Sequence, residues 1–122
     1  MKKVKIFISV GMRGRTKEAI LADIQRAKER IMRDLTEDHV EIVHTFVTEP
    51  PEDKRRLACL GESIKILGEC DICYLCTGYH KYSGCMVEKT ICELYNIGCY
   101  YEGVHADTML TALIKNEIDK HC

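Results

Sequence analysis

Val4-Lys5-Ile6-Phe7-Ile8-Ser9-Val10-Gly11-Met12-Arg13-Gly14-Arg15-Thr16 is the stretch whose reading decides the fold. Val4 to Val10 is a nearly continuous apolar, β-branched run, the pattern of a central strand covered on both faces. Gly11 to Arg15 is a glycine-containing turn, and Thr16 is placed to N-cap a helix. In that helix Ile20, Ile24, Ala27, Ile31 and Leu35 recur at three- and four-residue steps. Lys17, Asp23, Arg26 and Arg30 fall on the opposite, solvent-side face.

The same alternation continues along the chain. Val40 to Val47 reads as a second strand, and Pro50-Pro51 breaks it. From Asp53 to Gly68, Leu57, Leu60, Ile64 and Leu67 are spaced as the inward stripe of a helix, with Gly68 as its C-terminal stop. Asp71 to Thr77 is a third buried strand. Gly78 to Gly84 is a polar, aromatic-containing loop. Ser83 is the expected N-cap of a helix over Met86 to Asn96, with Val87, Ile91, Leu94 and Tyr95 inward. Ile97 to Tyr101 is a short fourth strand, and Met109, Leu110, Leu113, Ile114 and Ile118 mark a last helix. The order βαβαβαβα predicts an α/β, Rossmann-like doubly wound sheet of four to five mainly parallel strands with helices on both faces. Residues 1–122 read as a single domain, without repeat or linker.

Composition narrows the function. The chain has 122 residues, with 18 Lys plus Arg against 19 Asp plus Glu and a formal net charge of −1. That balance argues against a nucleic-acid polymer as partner. No apolar run reaches the ~18 residues of a membrane span. The opening residues are too short an apolar stretch for a secretory signal. A cytoplasmic protein is therefore expected, with its eight cysteines as reduced thiols.

In a doubly wound sheet, small ligands bind outside the carboxyl ends of the strands. The loops that matter are then Ser9 to Arg15, His44 to Glu49 and Thr77 to Gly84. In the first, Gly11 and Gly14 let a ligand approach the backbone, and Arg13 and Arg15 supply donors for phosphate or carboxylate. Gly-Met-Arg-Gly matches neither a P-loop nor a dinucleotide fingerprint, and a tight turn with solvated arginines is the plainer alternative. In the third, Tyr82-Ser83-Gly84-Cys85-Met86-Val87-Glu88 places a hydroxyl and a glycine at a helix start, with Glu88 one turn on. Carboxylates serve as nucleophiles or acid/base groups in glycosyl chemistry. From pattern alone, a first-turn acid that merely supports its own helix is the plainer reading of Glu88, since acids are enriched at helix starts.

These segments resemble a known family. Phe7-Ile8-Ser9 with Gly11-Met12-Arg13-Gly14, then Cys70-Asp71-Ile72, Gly78-Tyr79 and Ser83-Gly84-Cys85-Met86-Val87-Glu88 resemble the nucleoside 2-deoxyribosyltransferase-like superfamily, and its small bacterial and phage members most of all. That superfamily also includes nucleoside 5′-monophosphate N-glycosidases. The resemblance spans most of residues 4–101. It implies a flavodoxin-like sheet and a nucleoside or nucleotide as the small-molecule partner. It makes Glu88 the nucleophile at C1′ of the sugar, with water resolving the glycosyl-enzyme in a hydrolase and a second base in a transferase. Ser83 and Gly84 would hold a 5′-phosphate. Ser9, Gly11, Met12, Arg13, Gly14, Arg15, Gly78 and Tyr79 would line the pocket, and His44 would meet the base. No cofactor is implied, and a homo-oligomer is.

One position departs from the family. Its active enzymes carry an acid about two helical turns before the aspartate that opens strand three. Here that position is Ser63, with Glu62 beside it on another face of the helix. A non-catalytic nucleotide binder using the same pocket is therefore the alternative, and Asp71 would brace the sheet end.

Cys70, Cys73 and Cys76 have a C-x-x-C-x-x-C spacing that superficially resembles an iron–sulfur run. On a strand, residues three apart point to opposite faces, so no metal site is expected. Cys92 and Cys99 read as small core fillers. Cys85, at a helix start, is the one thiol expected to be reactive. His80 and His105 are expected at the surface, and Tyr79 and Tyr82 could stack on a base or sugar.

Overall fold

The computed structural model describes residues 3–33, 35, 38–44 and 53–121. Strand β1 (Val4–Ser9) leads to helix α1 (Lys17–Met32), and β2 (Val40–His44) to α2 (Asp53–Leu67). Strand β3 (Ile72–Leu75) runs through a 3-10 turn (Tyr79–Lys81) into α3 (Ser83–Leu94); β4 (Gly98–Tyr101) and α4 (Asp107–His121) follow. The strands form a parallel sheet in the order β2-β1-β3-β4. Val4 pairs with Val40, Ile6 with Ile72 and Ile72 with Gly98. This is a doubly wound, flavodoxin-like arrangement, and the strand order reverses between β1 and β3.

Alternation along β1 sorts the core into two layers. Val4, Ile6 and Ile8 face α1 and α4, packing on Ile20, Ile24, Ala27, Ile31, Leu110 and Ile114. Phe7 faces the other way, with Cys73, Leu75, Leu67, Cys85 and Cys92. Ser9, one strand repeat beyond Phe7, shares that second face. Thr16 caps α1 as expected, its hydroxyl accepting from the Ala19 amide at 3.2 Å. Gly68 ends α2, donating its amide to the Ile64 carbonyl at 2.9 Å.

Asp71 braces the sheet end: its Oδ2 accepts from the Lys5 amide at 2.9 Å, and its own amide donates to the Lys5 carbonyl at 2.8 Å. Cys73 and Cys76 lie in opposite core layers. Among the described residues no group of three His, Cys, Asp or Glu side chains could hold a metal ion, and no helix is long and apolar enough to cross a membrane.

Several expectations need correction. Helix α3 begins at Ser83, and its N-cap is Tyr82, with extended backbone and no side-chain cap bond. Its buried residues are Cys85, Glu88 and Cys92; Ile91 packs against the same core as expected, whereas the other predicted inward residues do not. Leu94 and Tyr95 are 72% and 74% exposed, and Val87 also lies outward. Two small thiols pack on the core there, and an acid occupies the place an apolar residue would take. Leu57 of α2, expected inward, is 78% exposed. Residues 45–47 of the predicted second strand, and most of the His44–Glu49 loop, lie outside the described residues.

Candidate functional site

The cavity opens at the carboxyl end of β1, between α2 and the turn that leads from β3 into α3, beside the point where the strand order reverses. Its volume is about 180 Å³, and it opens to solvent. β1 contributes Ser9, the following loop Met12 and Arg13, and the start of α3 contributes Ser83, Gly84 and Glu88. These come from the two loops the doubly wound rule singles out. Helix α2 supplies a wall: Ser63, the position where the family's acid is expected, together with Arg56, Cys59 and Leu60, which the sequence alone did not bring to the site. Those positions recur at three, four and seven residues, so one helical face carries them all. Lys81 and Tyr82 close the side next to α3.

At the floor, the Ser9 hydroxyl donates to Glu88 Oε1 at 2.7 Å across the sheet–helix boundary. Both are buried, Ser9 at 1% exposure and Glu88 at 6%. Burial pushes the Glu88 carboxyl from 4.5 up to about 7, against the opposing effect of the Ser9 hydrogen bond. At neutral pH the group is then poised between its two forms, the condition for nucleophile or proton-transfer work. At the rim, Arg13, Arg56 and Lys81 place three cations near the N-terminal turn of α3. The Arg56 guanidinium donates to Ser83 Oγ at 3.4 Å, so that hydroxyl faces the cation and not its own helix. Cations, a helix start and a buried carboxylate together suit a small ligand with an anionic end.

Other expected residues stand elsewhere. Arg15 turns away into an ion pair with Asp23 at 2.6 Å and donates to the Gly11 carbonyl at 2.9 Å. With Gly78, it lines a neighbouring open cleft of about 500 Å³, which shares Lys81 and Tyr82 with the cavity. Gly14 and Gly78 adopt positive φ of 71° and 83° as turn residues. Gly11 lies under the Tyr82 ring. Tyr79 packs on Tyr101 with ring centroids 5.3 Å apart. His44 pairs with Ile8 in the β1–β2 register and does not line the cavity. His105 is not a surface bystander: its Nδ1 accepts from the Tyr101 amide at 3.3 Å.

The expectation that Cys85 is reactive is overturned. Its thiol is buried beneath the helix start, and desolvation lifts it to about 11, outweighing the nearby Ser9 hydroxyl. Ser63 lines the cavity with its hydroxyl donating to the Cys59 carbonyl at 3.2 Å. Glu62 is exposed and pairs with Lys65 at 3.2 Å.

A second buried carboxylate, Glu102, lies just beyond β4. It accepts from Arg26, the Tyr74 hydroxyl, and the amide and hydroxyl of Thr77. Burial pushes its pKa up, but these donors prevail and hold it near 2. Arg26 and Asp23 of α1, expected on a solvent face, are drawn into this network. No local pattern marks Glu102, because its partners come from α1, β3 and the loop after it. No family model, no curated protein and no solved structure matches this chain.

Proposed function

We propose that this chain binds a nucleoside or nucleotide and cleaves or transfers at its N-glycosidic bond, with Glu88 as nucleophile. The observation that carries this reading is a buried, half-ionisable carboxylate at the floor of a switch-point cavity whose rim is cationic. The cavity, about 180 Å³, is smaller than the roughly 300 Å³ at the low end for drug-sized ligands. Its enclosed part suits the sugar, with the base in the open mouth. A 5′-phosphate is favoured beside Ser83, Gly84, Arg13 and Arg56. Likeness to the nucleoside 2-deoxyribosyltransferase-like superfamily in the Ser83-Gly84 and Glu88 segment adds to the same reading.

In the reaction, a Glu88 carboxylate oxygen forms a bond to C1′ as the C1′–N bond breaks. The bonding pair leaves with the base, which takes up a proton from solvent, and the water that later attacks C1′ returns one. Water then displaces Glu88 from C1′ in a hydrolase, and a second base does so in a transferase. Incubation with a panel of ribo- and deoxyribonucleosides and their 5′-monophosphates, read by chromatography for free base, tests this directly. Release from one of them is the expected result.

One observation favours a second reading, that of a nucleotide binder without catalysis. Ser63 faces the cavity where an acid is expected, and Glu62 is paired outside it. Glycoside hydrolysis ordinarily needs two carboxyl groups. A nucleotide that co-purifies intact, with no base released from any panel member, establishes that reading. Either way the reading takes a second copy of the chain as partner, supported by the outward Val87, Leu94 and Tyr95 of α3. Light scattering on the purified protein checks it.

A further inference from the structure

We infer that Ser9 is the positioning residue of Glu88, its hydroxyl gripping Oε1 so that Oε2 is presented to the cavity as the reacting oxygen. The inference rests on the reading of Glu88 as nucleophile. Ser9 is a buried polar residue at the end of a sheet face where its neighbours Phe7, Cys73 and Leu75 are apolar. An apolar residue would extend that pattern at no desolvation cost. Its backbone is fixed, because the Ser9 carbonyl accepts from the Cys76 amide at 3.0 Å and locks β1 to β3. The hydroxyl therefore meets Glu88 from a rigid strand end, at 2.7 Å. A long side chain such as Glu has several rotamers, and one short hydrogen bond from a fixed donor selects among them.

The charged form of Glu88 gains most from that bond, since a charge-assisted hydrogen bond is about twice as strong as a neutral one. Other groups surround it. On α3 and β3, burial holds the Cys85 thiol up at about 11, the hydrogen bond with Cys73 holds that of Cys92 up at about 12, and the Cys73 thiol, lowered by that contact, is still raised by burial, so all three are neutral near pH 7. Arg13 from the first loop, Arg56 and Cys59 from α2, and Lys81 from the turn before α3 line the cavity mouth. The Ser9 hydroxyl is seen to hydrogen-bond the Glu88 carboxylate.

The test is carbon-13 NMR of the full chain labelled at glutamate, with the Glu88 carboxyl resonance identified by its loss in Glu88→Gln. The same proteins are assayed for base release across pH. In Ser9→Ala the Glu88 midpoint is expected to rise by about one to two pH units, and the acid limb of the rate profile to move with it. Ser9→Thr keeps the hydroxyl and restores the original midpoint, and Ser9→Cys, a weaker donor, falls between. An unchanged midpoint in Ser9→Ala, or an equal shift in Ser9→Thr, overturns the positioning role. A shifted midpoint without any base release keeps that role and removes the enzymatic reading. Base release with an unshifted midpoint does the reverse.

Discussion

The ring of Tyr82 lies against the backbone of Gly11: a methyl group on Gly11 would stand 2.1 Å from Tyr82 Cδ2 and 2.3 Å from Cε2. The two residues belong to different loops, and Tyr82 also lines the cavity. Gly11 is required here for space. Gly11→Ala must drive the ring from its seat, at a cost of about 1–3 kcal/mol. In a Tyr82→Ala background the same substitution should be nearly neutral. Urea unfolding of the four proteins of this cycle measures the coupling. An equal loss in both backgrounds contradicts the contact.

Burial of Glu88 makes a prediction about stability, independent of activity. Its folded pKa of about 7 lies above the ordinary 4.5. The folded protein therefore holds this proton more tightly than the unfolded chain does. The stabilisation is complete below the ordinary value and is lost as pH rises through the folded one, by up to about 3 kcal/mol. Glu88→Gln carries no such penalty. It should equal the wild type near pH 4.5 and exceed it at about pH 8 by about 1–3 kcal/mol. Denaturant unfolding at the two pH values decides, and a variant less stable than wild type at both contradicts the account.

Glu102 behaves in the opposite sense. Its donors hold it near 2, below the ordinary 4.5. The stability it contributes is present above the ordinary value and is lost as pH falls from there toward 2. Glu102→Gln keeps hydrogen-bonding capacity but gives up the charge that Arg26, Tyr74 and Thr77 address. Because the Arg26 side chain is itself 40% exposed, the cost at neutral pH is about 2–3 kcal/mol. The variant should also lose less stability than wild type on acidification. Thermal melts from neutral pH down to about pH 3 show whether it does.

Thiol labelling separates the cysteines by burial. Cys73, Cys85 and Cys92 are buried, whereas Cys59 is exposed on α2 at the cavity wall. Among the described cysteines, Cys59 should take up iodoacetamide first, with Cys85 protected despite its place at a helix start. A bound nucleotide should slow the labelling of Cys59. Peptide mass mapping after a timed exposure reads both effects, and rapid labelling of Cys85 contradicts the placement.

What the sequence made legible were the features that local periodicity encodes. The stripe of Ile20, Ile24, Ala27 and Ile31, the Thr16 cap and the opposite facing of Cys73 and Cys76 all follow from one element's own repeat. The loops at the carboxyl ends of β1 and β3 followed from the order of elements alone. On α3 the inward places of Ile91 and Cys92 were legible, but Cys85 and Glu88 complete that face, and Leu94 and Tyr95, apolar enough to look like core, point to solvent. Arg56 and Lys81 at the rim, the Ser9–Glu88 bond and the Glu102 network depend on how separate elements are brought together. Ser9 and Glu88 are 79 positions apart, and no window along the chain contains both.

The central claim is that Glu88 attacks the glycosidic carbon. The most direct measurement is the rate of free-base release by the wild type and by Glu88→Ala, under the same conditions, from the nucleoside or nucleotide that the panel identifies. Removal of a nucleophile should lower that rate by roughly 10⁴-fold or more, while the ligand still binds. Release by Glu88→Ala at a rate close to wild type would contradict the account.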